Sequence, residues 1–173
     1  TNPDDNAWAR LERGGIDLDA FCRMFEAEAA AQGCPIDAGE ILARLSGDIR
    51  PEMVEALKRV RTRYKTACLT NNVRSGEGPG MARSPERARQ IAEIMTLFDH
   101  VVESSRVGVR KPEPRFYQIA CELLAIAPEE AVFLDDLGIN LKPAKAMGMQ
   151  TIKVASAAQA IAELETVLGH SLR

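Results

Sequence analysis

Histidine and cysteine are scarce in this sequence, and their scarcity closes off several chemistries. Only His100 and His170, and Cys22, Cys34, Cys68 and Cys121, occur among 173 residues. No C-x-x-C pair exists, so a zinc site lacks ligands. Scattered thiols without a framework read as reduced, buried or half-buried side chains of a cytoplasmic protein. Cys68 lies in an apolar strand pattern with no basic partner beside it, which reads as core rather than as a nucleophile. A basic excess is also missing: 22 Lys and Arg stand against 25 Asp and Glu, a net charge of −3. That excludes a strongly basic nucleic-acid binder and a polybasic membrane patch. No apolar run approaches membrane-spanning length, and no basic-then-apolar leader opens the chain. Internal repeats are absent, and the one biased tract is the Ala-rich stretch around Ala27 to Ala31.

What is present is ordinary globular composition, 46% hydrophobic and 27% charged, with length enough for one domain and a small appendage. The first third reads as helices. Asp17 or Asp19 caps a helix in which Leu18, Phe21, Cys22, Phe25 and Ala29 recur at helical spacing, stopping at Gly33. Asp37 and Glu40 have capping-box spacing ahead of Ile41, Leu42 and Leu45. Pro51 suits the first position of a helix carrying Met53, Leu57, Val60 and Tyr64. Trp8 is expected to anchor the N-terminal segment.

From Lys65 the period changes. Thr66 to Leu69 is a short apolar strand ending at Thr70, and a Gly-rich loop runs from Asn71 to Arg83. Ser84 and Pro85 open a helix. His100 to Glu103 is a second strand, Pro112 to Leu124 a helix, and Ala131 to Leu134 a third strand ending at Asp135-Asp136. Asn140 is read as the cap of the next helix, which holds Pro143 in its first turn and ends at Gly148. Thr151 to Val154 is a fourth strand, and Ser156 to Leu168 a closing helix. Apolar strands alternating with helices predict an α/β protein, a Rossmann-like parallel sheet with helices on both faces. Residues 1–50 form a small helical cap subdomain in this reading, and 51–173 the α/β core.

Ligands of open α/β sheets bind beyond the carboxyl ends of the strands. Those ends carry Thr70, then Glu103 and Ser104, then Asp135 and Asp136, while Lys111 opens the helix after the second strand. Taken singly, Thr70 is more often a strand-end cap and Lys111 more often a solvated charge. Asp135 and Asp136 are more informative, because adjacent carboxylates repel unless a cation or a donor compensates. Carboxylates suit Mg²⁺, and Lys and Thr suit phosphate oxygens. Gly76, Gly78 and Gly80 match neither G-x-G-x-x-G nor G-x-x-x-x-G-K-[ST], so their loop reads as a border of the site rather than a nucleotide cradle.

Three segments resemble a known family. LTNN (Leu69 to Asn72), KPEPRFY (Lys111 to Tyr117) and VFLDDLGINLKPAKAMGMQTI (Val132 to Ile152) are similar to the second, third and fourth motifs of the haloacid dehalogenase-like hydrolase superfamily. The last stretch especially resembles the N-terminal phosphatase domain of soluble epoxide hydrolases and domains linked to acyl-CoA dehydrogenases. The resemblance implies that Thr70, Asn71 and Lys111 bind the phosphoryl group of a small phosphorylated substrate, with Thr70 and Lys111 also catalytic. It implies that Asp135 ligates Mg²⁺ and that Asp136 supports catalysis through the metal shell. The family's reaction is in-line attack by an aspartate, giving an aspartyl-phosphate that water hydrolyses. The paired aspartates favour this branch over metal-free 2-haloacid dehalogenation.

The family's nucleophile sits in a first motif, an apolar strand followed by D-x-D-G-T/V, and no residue of this chain takes that place. Asp17-Leu18-Asp19 has the spacing but follows Arg13, Gly14 and Gly15 and runs straight into a helical stripe, which reads as capping. The first motif is therefore expected upstream of Thr1, in a segment on the order of 50 residues, and the chain is expected to be inactive alone. The family's sheet order puts the missing strand between those ending at Thr70 and Asp135. Strand spacing of about 4.8 Å makes that a gap of nearly 10 Å. An upstream segment, re-pairing of the sheet, or a partner chain in a homodimer would each fill it, and the first is favoured. A catalytically dead binding or structural module, or a domain of a larger fusion, is the alternative reading.

Overall fold

The computed structural model describes residues 3–44, 47–73 and 84–172. The Gly-rich loop and Leu45 expected from sequence fall largely or wholly outside them. The chain forms α1 (Ala7–Glu12), α2 (Leu18–Ala31), α3 (Ala38–Arg44), α4 (Pro51–Val60) and β1 (Ala67–Thr70). There follow α5 (Pro85–Met95), β2 (His100–Glu103), α6 (Ser104–Val107), α7 (Pro114–Leu124), β3 (Val132–Asp135), α8 (Gly138–Ala146), β4 (Gln150–Lys153) and α9 (Ala157–Leu168). Two compact units result: residues 1–48, 70–93 and 103–110, and residues 49–69, 94–102 and 111–173.

The first unit is built on aromatic packing. Asp17 caps α2, its Oδ1 accepting from the Ala20 N–H at 2.7 Å, so the D-x-D segment is a helix start. Phe21 is fully buried, with Trp8 edge-on at 5.2 Å and Phe25 stacked at 5.1 Å between ring centroids. Ala7, Leu11, Ala38 and Val73 share this core. The α1 helix lacks an apolar stripe long enough to show in the sequence; Asn6 caps it, accepting from the Ala9 N–H at 2.8 Å. Gly14 has φ +70°, and a Cβ there would lie 2.5 Å from the Ser105 carbonyl oxygen. Only glycine fits that turn without strain.

In the second unit β3 and β4 pair in parallel, Val132 opposite Gln150 through Asp135 opposite Lys153. α8 packs on both strands, α9 on β4, α7 on α8 and α4 on α9. Ala56, Ile161 and Leu172 form a small core between α4, α9 and the C-terminal segment, with Met53, Val60, Leu164 and Leu168 around it. Ser156 and Gln159 make a full capping box at the start of α9. The α/β class is as expected, but among the described residues β1 pairs with β2 and β3 with β4 as two separate two-stranded sheets. Backbone pairing does not run continuously from β1 to β3, so re-pairing has not merged the four strands.

Two local expectations are corrected. Asn140 lies inside α8 rather than capping it: Leu137 is the N-cap, and the Asn140 side chain is used elsewhere. Pro143 consequently sits at the sixth helical residue, where it has no N–H to offer the Ile139 carbonyl. Among the cysteines, all free, Cys121 is buried and Cys22 and Cys68 are half-buried, but Cys34 is exposed. Burial, with nearby glutamates, pushes the Cys121 thiol above its ordinary range, which suits a core residue.

Candidate active site

Strand β3 is apolar until its last residue, so packing carries a carboxylate to the carboxyl end of the strand and buries it there. Asp135 is that residue, and its side chain is 4% exposed. Three donors converge on it. Lys111 Nζ donates to Oδ2 at 2.8 Å, while the Leu137 N–H and Asn140 Nδ2 donate to Oδ1 at 2.8 and 2.9 Å. Both oxygens are thus engaged, which is what a buried carboxylate requires. Lys111 is 14% exposed and lies 5.9 Å from the centroid of the Phe133 ring. A buried pair of this kind is held in one geometry and is little screened by salt.

Asp136 follows directly and is exposed, as are Leu137, Gly138 and Ile139. One carboxylate is therefore buried and paired, and its neighbour faces solvent. The sequence reading of two mutually repelling carboxylates resolves in this way: Lys111, an amide and a backbone N–H compensate the first, and water the second. Among the described residues no group of three or more His, Cys, Asp or Glu is placed to hold a metal ion. Consecutive carboxylates are nevertheless the type of donor that a hard cation such as Mg²⁺ takes, and Asp136 is the one open to solvent.

Thr70 and Asn71 belong to the first unit. Thr70 ends β1 and is half-buried. Asn71 Nδ2 donates to Glu12 Oε2 at 3.4 Å, and Glu12 also pairs with Arg110. The next residue, Asn72, locks the turn. Its N–H donates to Ser104 Oγ at 3.0 Å, its Nδ2 to Glu103 at 2.8 Å, and its Oδ1 accepts from Ser105 Oγ at 2.9 Å. Ser104 and Ser105 are buried, so this cluster fixes the loop that carries Thr70 and Asn71.

The structure thus brings together Lys111 and Asp135, with Asp136 beside them in the chain. Sequence reasoning missed the donor role of Asn140 and the lock at Asn72. Asn140 was detectable: a residue five beyond the strand-end aspartate, in the first turn of a helix, lies close to that carboxylate.

The family model for haloacid dehalogenase-like hydrolases matches residues 3–148, and the chain belongs to that family. It is 35% identical over 175 residues to mouse (Mus musculus) acyl-CoA dehydrogenase family member 10, covering 98% of this chain and 16% of that protein. It is 38% identical to mouse bifunctional epoxide hydrolase 2 over 127 residues, 73% of this chain and 22% of that one. The chain therefore spans less than a quarter of the length of these relatives. Phosphatase MT3486 of Mycobacterium tuberculosis (strain CDC 1551 / Oshkosh) is 30% identical, with 86% of this chain and 58% of that one covered.

Solved structures share the fold. A HAD-like hydrolase from Porphyromonas gingivalis superposes with a TM-score of 0.70 at 20% identity, covering 96% of this chain and 80% of that one. A HAD family enzyme, bt-2542, from Bacteroides thetaiotaomicron, in complex with magnesium and inorganic phosphate, gives 0.64 at 20% identity, covering 93% and 80%.

Proposed function

We propose that this chain is the greater part of a Mg²⁺-dependent phosphomonoesterase that acts through an aspartyl-phosphate. The observation that carries the reading is the buried Lys111–Asp135 pair at 2.8 Å, with the exposed Asp136 next to it. Family membership, the phosphatase among its relatives, and the magnesium and phosphate bound by bt-2542 support it.

In this reading Asp135 and Asp136 would hold Mg²⁺, which supplies charge neutralisation for a transferring phosphoryl group. Asp135 would offer a fixed oxygen, and Asp136 would act through water. Lys111, held by Asp135, would present a positive charge to the phosphoryl oxygens from a single direction, so little reorganisation is needed during reaction. Thr70 and Asn71 would hydrogen-bond those oxygens through hydroxyl and amide. The helices of residues 1–50 would serve as a cap that excludes water and selects the small phosphorylated substrate. Among the described residues no strand is followed by a D-x-D motif, so in this reading the nucleophile would come from another segment, and these residues alone would be inactive. Among the described residues no helix is long and apolar enough to cross a membrane, and four free cysteines fit a cytoplasmic enzyme.

The test is hydrolysis of a generic aryl phosphate with Mg²⁺, by residues 1–173 and by a longer chain with an upstream D-x-D segment. Activity confined to the longer chain is expected. Inactivity of both would leave a binding or structural module, and metal-free release of halide from a 2-haloacid would establish the dehalogenase chemistry instead.

A further inference from the structure

We propose that Tyr117 is a positioning residue for the Lys111–Asp135 pair, acting through the main chain of Asn140 and the ring of Phe133. The inference rests on the phosphatase reading only in taking that pair as the chemical centre.

Tyr117 is fully buried on α7. Its ring meets Phe133 edge-on, with centroids 5.3 Å apart and planes at 86°. A buried phenol must find a partner for its hydroxyl, and Tyr117 donates to the Asn140 carbonyl at 2.7 Å. Asn140 is also the residue whose amide donates to Asp135 Oδ1. A closed circuit results: Lys111 to Asp135, Asp135 to Asn140, Asn140 to Tyr117, Tyr117 to Phe133, and Phe133 back to Lys111. Tyr117 contacts both residues that border the two charged groups.

Two features make the hydroxyl more than core filling. The first turn of α8 is weakened, because Pro143 has no N–H for the Ile139 carbonyl. The Tyr117 hydroxyl grips the very next carbonyl, supplying from outside a restraint that the helix has lost nearby. With Asn140 held, its amide and the Leu137 N–H both fall on Oδ1 of Asp135, so Oδ2 is the oxygen turned to Lys111. The donor is also constant: burial, then the charge of Asp135, pushes the phenol well above the ordinary tyrosine range, so it stays protonated wherever the fold persists.

The test is Tyr117→Phe, which keeps the ring and removes only the hydroxyl. In the longer, active chain, kcat for an aryl phosphate is expected to fall about tenfold with KM unchanged. In residues 1–173, the ¹³C-labelled Lys111 ε-methylene resonance is expected to shift. In an Asp135→Asn background the same substitution should move that resonance less, since the route through Asn140 is cut and only the Phe133 contact remains. Wild-type kcat together with an unmoved Lys111 resonance would overturn the proposal. If the longer wild-type chain shows no phosphatase activity, that reading fails, and the resonance arm still decides the positioning role. If Tyr117→Phe does not fold, fluorotyrosine at position 117 in a Tyr64→Phe background replaces it. A shifted Lys111 resonance supports the proposal there, and an unshifted one refutes it.

Discussion

Replacing Lys111 by methionine keeps most of the apolar stem and removes the ammonium that faces Asp135 at 2.8 Å. The Asp135 side chain, 4% exposed, cannot turn to water to recover the lost partner. Removing one member of a buried pair costs about 3–5 kcal/mol. The Leu137 N–H and the Asn140 amide still hold Oδ1, which places Lys111→Met at the lower end, about 3 kcal/mol. The reverse change, Asp135→Asn, leaves a lysine with 14% exposure and some access to solvent, and costs about 2 kcal/mol. Because both remove the same contact, the double variant should fall short of the sum by about 1.5 kcal/mol. Urea unfolding measures this, with the midpoint shifting at constant slope. Trp8, the sole tryptophan, lies in the first unit, so amide exchange along Val132–Asp135 is the better probe. A cost below about 1 kcal/mol for Lys111→Met would show that the pair is solvated, and the reasoning would fail.

Other perturbations test the frame around the site. Gly14→Ala forces a Cβ to within 2.5 Å of the Ser105 carbonyl at a φ of +70° and should lower stability by more than about 1 kcal/mol, read by thermal unfolding. Phe21→Ala empties the aromatic core of the first unit and should cost about 3–5 kcal/mol, visible as an earlier loss of Trp8 fluorescence. Asp99 is held below the ordinary carboxylate range chiefly by the Thr66 N–H, which donates to it at 2.7 Å. Its folded pKa is lower than its unfolded one, so its stabilisation is present above the unfolded value and lost as pH falls through the folded one. Asp99→Ala should therefore be less stable than the parent at pH 7, with the gap narrowing below about pH 4 in acid titrations followed by circular dichroism.

The four strands were readable because short apolar runs end at polar residues, and each lies within a residue or two of its expected place. The longer helices were readable from caps: Asp17, Pro51, Ser84 and Ser156 all stand at helix starts. The helices α1 and α6 were not, since six and four residues hold too little periodicity to show. Asn140 misled because asparagine suits an N-cap, yet tertiary demand from the buried Asp135 outweighed that local preference. Lys111 and Asp135 were legible as candidates from their strand-end placement, but not as partners. That contact joins residues 24 apart, and only folding reveals it. Tyr117 closes the KPEPRFY segment, but nothing in the sequence marked its hydroxyl, because an aromatic on an apolar helix face looks like any core residue.

The central claim is that the Lys111–Asp135 pair is a phosphate-hydrolysing centre rather than a structural tie. The most direct measurement is kcat/KM for an aryl phosphate with Mg²⁺ in the longer chain, comparing Lys111→Met with Lys58→Met. Lys58 is exposed and pairs with the surface residue Glu55. A loss of about a hundredfold or more is expected for Lys111→Met and none for Lys58→Met. Equal activity in the two variants, both folded, would contradict it.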